Sequence, residues 1–180
     1  MERAISGVKI ECLKGDIAAQ NDILAVVNAA NALLKTGGGV AGAIHRAAGP
    51  GLYDECRSLA PINPGEAVIT GAYRLPNEYV IHCLGPVYGR DQPEDELLAD
   101  CYRNALKISE EKGIKSIAFP ALSTGAFGYP SKDAAKVAFK TISELLSELK
   151  AVNKIRFVLY DEKDLEIHED ILSKLYTLVD

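Results

Sequence analysis

The chain has 180 residues, 48% of them hydrophobic, and a formal net charge of −5. That is enough chain for one domain with a real core. The acidic balance, with no basic run, argues against nucleic acid as a partner, because phosphate-backbone binders concentrate Lys and Arg. No apolar run is long enough to span a bilayer, and Met1 to Gly7 lacks the apolar region of a signal peptide. A cytoplasmic protein is expected.

Val8 to Leu13 reads as the first strand, with Val8, Ile10 and Cys12 on one face. Asp16 follows it and is placed either to cap a helix or to accept a hydrogen bond from an exocyclic amine such as that of adenine. Ile23 to Val27 reads as a second, buried strand. It leads into Asn28, Asn31 and three consecutive glycines, Gly37, Gly38 and Gly39. Val40, Ala43, Ile44 and Ala47 then recur at helical spacing, and Gly49-Pro50 stops that helix. A strand, a polar loop, a glycine run and a helix start form a layout for an anion. The backbone can approach a ligand closely, and the first helical turn presents unpaired N–H groups and the positive end of its dipole.

Pro50 to Leu59 reads as a further helix with Leu52, Cys56 and Leu59 inward. Ala67 to Ala72 and Tyr79 to Leu84 read as antiparallel neighbours, given their short connection. His82 lies in the second of these and reads as a satisfied core residue rather than a catalyst. After a polar loop from Gly85 to Glu94, a helix spans Glu96 to Lys112 with Leu97, Leu98, Cys101, Ala105 and Ile108 inward, and Gly113 caps it. A strand from Lys115 leads to Pro120. Then a second glycine-rich loop, Ser123 to Tyr129, precedes a helix from Pro130 and Ser131 to about Leu149. Its inward stripe is Ala134, Val137, Ala138, Ile142 and Leu145. Ile155 to Tyr160 reads as the last strand and Leu165 to Leu178 as the closing helix.

Strands and helices alternate with few hairpins, so the expected fold is α/β with a mostly parallel sheet and helices on both sides. Ligands of such folds bind beyond the carboxyl ends of the strands. Asp16, Asn28, Asn31, the glycine run, the second loop and Tyr160 all fall there. Two glycine-rich loops at strand-to-helix junctions point to one phosphate-bearing ligand held from two sides. The four cysteines, Cys12, Cys56, Cys83 and Cys101, are widely spaced, which argues against a metal site and against a disulfide framework. Gly37 to Gly42 formally fits G-x-G-x-x-G. A dinucleotide-binding motif, however, wants that run directly after its first strand and an acid at the end of the next, and neither is found here.

Gly15-Asp16-Ile17, VVNAAN at Val26 to Asn31, GGGVAGAIHRAAG at Gly37 to Gly49 and FPALSTGAFGYP at Phe119 to Pro130 together resemble the macrodomain family. Four motifs in the right order span nearly the whole chain, and the likeness is greatest to the bacterial single-domain MacroD-like group. The resemblance implies a three-layer α/β/α sandwich around a mixed sheet, forming one domain over residues 1–180, and a site for ADP-ribose. It implies no cofactor and no metal. Partners would be ADP-ribose or an ADP-ribosylated protein, and a monomer is expected.

Carried over by position, Asp16 would hold the adenine amine with Ile17 beside it, and Tyr160 would cover the adenine face. Ser123, Thr124, Gly125, Ala126 and Phe127 would wrap the diphosphate from one side. Gly38, Gly39, Val40 and the helix start would wrap it from the other, with Asn28 nearby. Phe127 would lie against the distal ribose and Asn31 would orient it. Hydrolytic members typically carry Asp after the glycine run and Val, where this chain has Ala41. Two readings therefore stand. The chain hydrolyses ADP-ribose esters on proteins or O-acetyl-ADP-ribose, with Asn31 and His45 as its catalytic candidates, or it is a non-catalytic reader of ADP-ribose. His45 sits one helical turn after Ala41 on the same face, and its bland reading is local packing.

Overall fold

The computed structural model describes residues 1–175. Seven strands form one sheet: β1 (Glu2–Ile5), β2 (Val8–Lys14), β3 (Ala25–Ala29), β4 (Ala67–Gly71), β5 (Tyr79–Cys83), β6 (Ser116–Phe119) and β7 (Lys154–Leu159). Their order across the sheet is β1-β2-β7-β6-β3-β5-β4. The five inner strands run parallel, and β1 and β4 close the two edges antiparallel. Five helices cover the two faces: α1 (Gly39–Ala48), α2 (Pro50–Cys56), α3 (Glu94–Lys112), α4 (Ser131–Leu145) and α5 (Glu162–Lys174). The expected three-layer α/β/α sandwich is the observed architecture.

Period-two alternation splits the strands between two cores. Ala25 and Val27 of β3 join Leu98, Tyr102, Phe139 and Leu172 of α3, α4 and α5 in one core. Val26, between them, joins Ile44, Ala48, Leu52 and Cys56 of α1 and α2 in the other. All four cysteines are buried free thiols. Among the described residues no helix is long and apolar enough to cross a membrane.

The sequence reading missed β1. Ser6 (φ 50°) and Gly7 (φ 80°) form a two-residue turn with both centres left-handed, which joins β1 to β2 with Ile5 paired to Val8. Glu2, Arg3 and Ala4 are exposed, so no apolar alternation announces the strand. β3 begins at Ala25, two residues after the expected start. Leu24 is instead pinned outside the strand, its N–H donating to Ser116 Oγ at 2.9 Å and its carbonyl accepting from Glu78 and Tyr79. Asn28 therefore belongs to the strand and not to the loop.

In α1 the buried face is Ala41, Gly42, Ile44, His45 and Ala48, so Ala47 points outward, against expectation. α2 stops at Cys56, and Leu59 lies beyond it, partly exposed. In α3, Leu97 and Ile108 are only half-buried, and Tyr102 and Leu106 fill the core instead. Gly113 is the left-handed cap the sequence announced (φ 67°). α4 ends at Leu145, followed by a 3₁₀ turn, Leu146–Glu148, and Phe139 does more of its packing than Val137 or Leu145. α5 starts three residues early because the Asp161 carboxylate accepts the Asp164 N–H at 2.8 Å. The expected stretch 176–178 of that helix lies outside the described residues.

A charged network crosses the sheet face under residues 16–24. The Arg156 guanidinium donates to Asp22 through two 2.7 Å bonds, to Glu11 at 2.7 Å and to Gln20 at 2.9 Å. Hydrogen bonds from Arg156 and then Lys154 hold the Asp22 carboxyl well below the usual carboxylate range. A carboxyl depressed in the fold contributes stability above its unfolded pKa of about 4, and that contribution is lost as pH falls through the folded value. Asp22→Asn is thus expected to lower the melting temperature at pH 7 by about 2–4 °C. The deficit should shrink as the pH falls below about 4, because the unfolded chain then takes up a proton that the folded, ion-paired carboxyl does not. A deficit unchanged between pH 7 and pH 2.5 would show that the charge of Asp22 contributes nothing.

Candidate functional site

The carboxyl ends of β2, β7, β6, β3 and β5 form one rim, and the segments leaving them build the site. Lys14 pairs with Leu159, so Asp16 and Tyr160 emerge from neighbouring strands. The Gly15 N–H donates to the Leu159 carbonyl at 3.0 Å and ties the two exits together. Asp16 is exposed and its Oδ1 accepts the Ala18 N–H at 2.9 Å, capping a 3₁₀ turn over Ile17–Ala19. The capping role is therefore real, and the second carboxylate oxygen carries no bond among the described residues. Ile17 is buried beneath. Tyr160 is 90% exposed, the most exposed of the large apolar side chains described.

The first loop leaves β3. Asn31 Nδ2 donates to the Lys35 carbonyl at 2.8 Å and its Oδ1 accepts the Lys35 N–H at 2.9 Å, so the side chain folds residues 31–35 back on themselves. Leu34 is held left-handed (φ 54°) inside that fold. Gly37 to Gly39 follow, exposed, and Gly38 stands at the N-cap of α1, which has no side-chain cap and no acid in its first turn. The N–H groups of that turn face outward as donors. Gly42 is fixed by close approach: a Cβ there would sit 2.4 Å from the Gly37 carbonyl oxygen.

The second loop leaves β6, which pairs with β3, so the two loops rise side by side. Ser123 is buried and left-handed (φ 66°), a strained state for a residue with a Cβ. The Tyr129 N–H donates to the Ser123 carbonyl at 2.9 Å and closes the loop. Thr124, Gly125, Ala126 and Phe127 form its crest, with Gly125 and Ala126 exposed. The sequence reading gave no role to the segment after β5, yet it braces this loop. The Tyr88 N–H donates to the Phe127 carbonyl at 2.9 Å, and the Tyr88 ring lies 4.8 Å from that of Tyr129. A Cβ on Gly85 would collide with Ser123 Oγ. Neither contact leaves a local sequence signal, since both depend on which strands become neighbours.

Asn28 and His45 sit lower, between α1 and the sheet. Asn28 is fully buried with its Nδ2 3.0 Å from His82 Nδ1. His82 Nε2 lies 2.9 Å from Thr70 Oγ1. Burial, and then the neighbouring His45, push the His82 pKa down to about 3, so it is neutral and satisfied, as a core histidine should be. The His45 ring is 6.4 Å from it, buried, and lowered in pKa by that burial. His45 Nε2, Asn28 Oδ1 and Ser123 Oγ are buried with no hydrogen-bond partner among the described residues.

Chemically, the rim offers a carboxylate acceptor and an exposed aromatic ring at one end. Two loops with main-chain N–H groups stand at the centre, with the half-buried ring of Phe127 and the Asn31 amide beside them. Main-chain N–H groups of this kind can meet an anion without fixed positive charge.

The Macro domain family model matches residues 27–138. A macro domain-containing protein of Chlorobaculum tepidum is 47% identical over 92% of this chain and 96% of its own length. The O-acetyl-ADP-ribose deacetylase of Salmonella typhimurium is 44% identical over 92% and 95%. Among solved structures, the Oceanobacillus iheyensis macrodomain with ADP superposes with a TM-score of 0.94 at 38% identity, covering 99% of this chain and 97% of that one. The Trypanosoma brucei macrodomain in complex with ADP-ribose superposes at 0.84 and 36% identity, over 91% of this chain and 68% of that one. The motifs, the sheet order and these likenesses agree, and the chain belongs to the Macro domain family.

Proposed function

We propose that this macrodomain, acting as a single cytoplasmic, monomeric domain, binds ADP-ribose and hydrolyses ADP-ribose esters. Asp16 accepts the adenine amine while Tyr160 covers the base. The donors of Gly38, Gly39 and Val40 and those of Ser123 to Phe127 hold the diphosphate. Phe127 packs on the distal ribose and Asn31 orients it. Water, activated by the substrate's own phosphate, replaces the acyl group, so that the products are ADP-ribose and a free carboxylic acid. The substrate is an ester to a protein glutamate or aspartate, or O-acetyl-ADP-ribose.

One observation carries the reading: two main-chain donor loops rise from the adjacent parallel strands β3 and β6, with a carboxylate and an exposed ring at the neighbouring strand ends. That order of groups along the strand ends suits a diphosphate with an adenine on one side and a ribose on the other. Names given to relatives support the same chemistry. Ala41 supports the second reading, a reader without turnover. It is buried in the first turn of α1, where an alkyl group has no lone pair to offer water.

The deciding experiment incubates the protein with a substrate mono-ADP-ribosylated on glutamate, and separately with O-acetyl-ADP-ribose, and follows free ADP-ribose. Wild type is expected to release it. Asn31→Ala, which loses both the ribose contact and the brace on residues 31–35, should fall by roughly 10²-fold or more. His45→Ala should fall far less, since its ring is below the rim. Binding without release by wild type makes the protein a reader, and activity lost in His45→Ala with affinity intact would move the chemistry to that histidine.

A further inference from the structure

The acceptor end of the site is anchored by a buried side chain that no motif marks. Asp16 sits on the surface after Gly15, and the aim of its free carboxylate oxygen depends on where its backbone is held. That backbone is held from below. Gln20 Nε2 donates to the Asp16 carbonyl at 2.7 Å, alongside the Ala19 N–H at 3.0 Å. Gln20 Oε1 accepts from Arg156 Nη1 at 2.9 Å, and the two partners together fix the orientation of the amide. Gln20 is 7% exposed, as is Arg156, and Asn77 Nδ2 donates to the Gln20 carbonyl at 2.8 Å. Arg156 is itself immobilised on β7 by Glu11 and Asp22. A rigid guanidinium on the sheet thus reaches Asp16 through one amide.

We propose that Gln20 is the positioning residue that sets base selectivity: by locking the Asp16 backbone to Arg156 it keeps the Asp16 carboxylate where an exocyclic amine is accepted and a carbonyl oxygen is repelled. The inference rests on the reading that Asp16 meets the adenine amine. Adenine offers an N–H donor there, and hypoxanthine offers an oxygen. A carboxylate that cannot move away rejects the oxygen, because both groups then remain unpaired. A loosened carboxylate swings aside and accepts both bases alike. Loss of Gln20 therefore raises the relative affinity for hypoxanthine, whereas a purely structural role would weaken both ligands equally.

The test measures calorimetric affinities of the whole protein for ADP-ribose and for inosine diphosphate ribose. Gln20→Met keeps the length and removes both bonds. Gln20→Glu keeps an acceptor for Arg156 but has no hydrogen for the Asp16 carbonyl, so it preserves the fold if the methionine variant does not. Wild type is expected to prefer the adenine ligand by roughly tenfold or more. Gln20→Glu should bring the preference to within about threefold, with the affinity for the inosine ligand within about twofold of wild type. A full wild-type preference retained in Gln20→Glu overturns the inference. Equal binding of the two bases by wild type overturns it too, while leaving ADP-ribose binding in place. Failure of wild type to bind ADP-ribose at all removes the functional reading and this inference with it.

Discussion

Replacing Gly42 by alanine is expected to weaken ADP-ribose binding by roughly a hundredfold or more while the domain stays folded. A Cβ on Gly42 would meet two groups. The Arg46 Nη1 at 2.8 Å is the end of an exposed, flexible side chain and can swing away. The Gly37 carbonyl oxygen at 2.4 Å is backbone and cannot, so the run Gly37 to Gly39 must move outward. That run leads directly into the uncapped first turn of α1, which supplies the donors of one wall. Hydrogen bonds to a charged acceptor are each worth about 1.5–3 kcal/mol and depend steeply on distance and angle, so moving two of them off the diphosphate accounts for the loss. Alanine improves helix propensity over glycine by about 1 kcal/mol, which offsets part of the strain. Titration calorimetry beside a thermal melt separates the two effects. Affinity within about threefold of wild type would mean that the first loop is not a donor wall.

Introducing aspartate at position 41 should raise turnover by a comparably large factor. Ala41 occupies the third position of α1, whose first turn contains no acid and whose start has no side-chain cap. Although the site is buried, a carboxylate there finds the helix N–H groups and the positive end of the dipole, so Ala41→Asp should fold. It shares a face with His45, whose Nε2 has no hydrogen-bond partner among the described residues. Placed beside the glycine run, the carboxylate can draw a proton from water. General-base help of this kind is worth roughly 10²–10⁴-fold, and release of ADP-ribose from an ester should rise within that range. Binding of ADP-ribose should weaken by about tenfold or less, because the new charge lies near the diphosphate. Turnover unchanged in Ala41→Asp would show that water is already activated by other means.

How far these features could be read from the sequence depended on their range. Gly37 to Gly39 and Ser123 to Tyr129 were legible because a glycine run between a strand and a helix is a local pattern with a local cause. Gly113 and the antiparallel pair β4–β5 were legible for the same reason. The Ser6-Gly7 turn is just as local, but β1 is a solvated edge whose residues show no alternation. Ala47 of α1 was misjudged because apolar spacing alone favoured it, whereas the buried face runs through Ala41, Ile44, His45 and Ala48. The Arg156 network was hidden altogether: Glu11, Gln20, Asp22 and Arg156 come from distant positions, and each alone is an unremarkable charged or polar residue. The brace of Tyr88 on the second loop and the close approach of Gly85 to Ser123 were hidden likewise, since they exist only once β5, β3 and β6 lie side by side.

The order of the sheet also decides when the chain can first recognise anything. β2 and β7 are neighbours, with Lys14 opposite Leu159, although nearly the whole sequence separates them. Asp16 and Tyr160 therefore meet only after β7 is in place, and the loops between them are supplied by intermediate segments. During synthesis, a nascent chain lacking its last strand has both glycine-rich loops but not the paired exits of β2 and β7. If the proposed site is right, ligand capture reports on the finished molecule, and a bound ligand should brace strands from both ends of the chain at once.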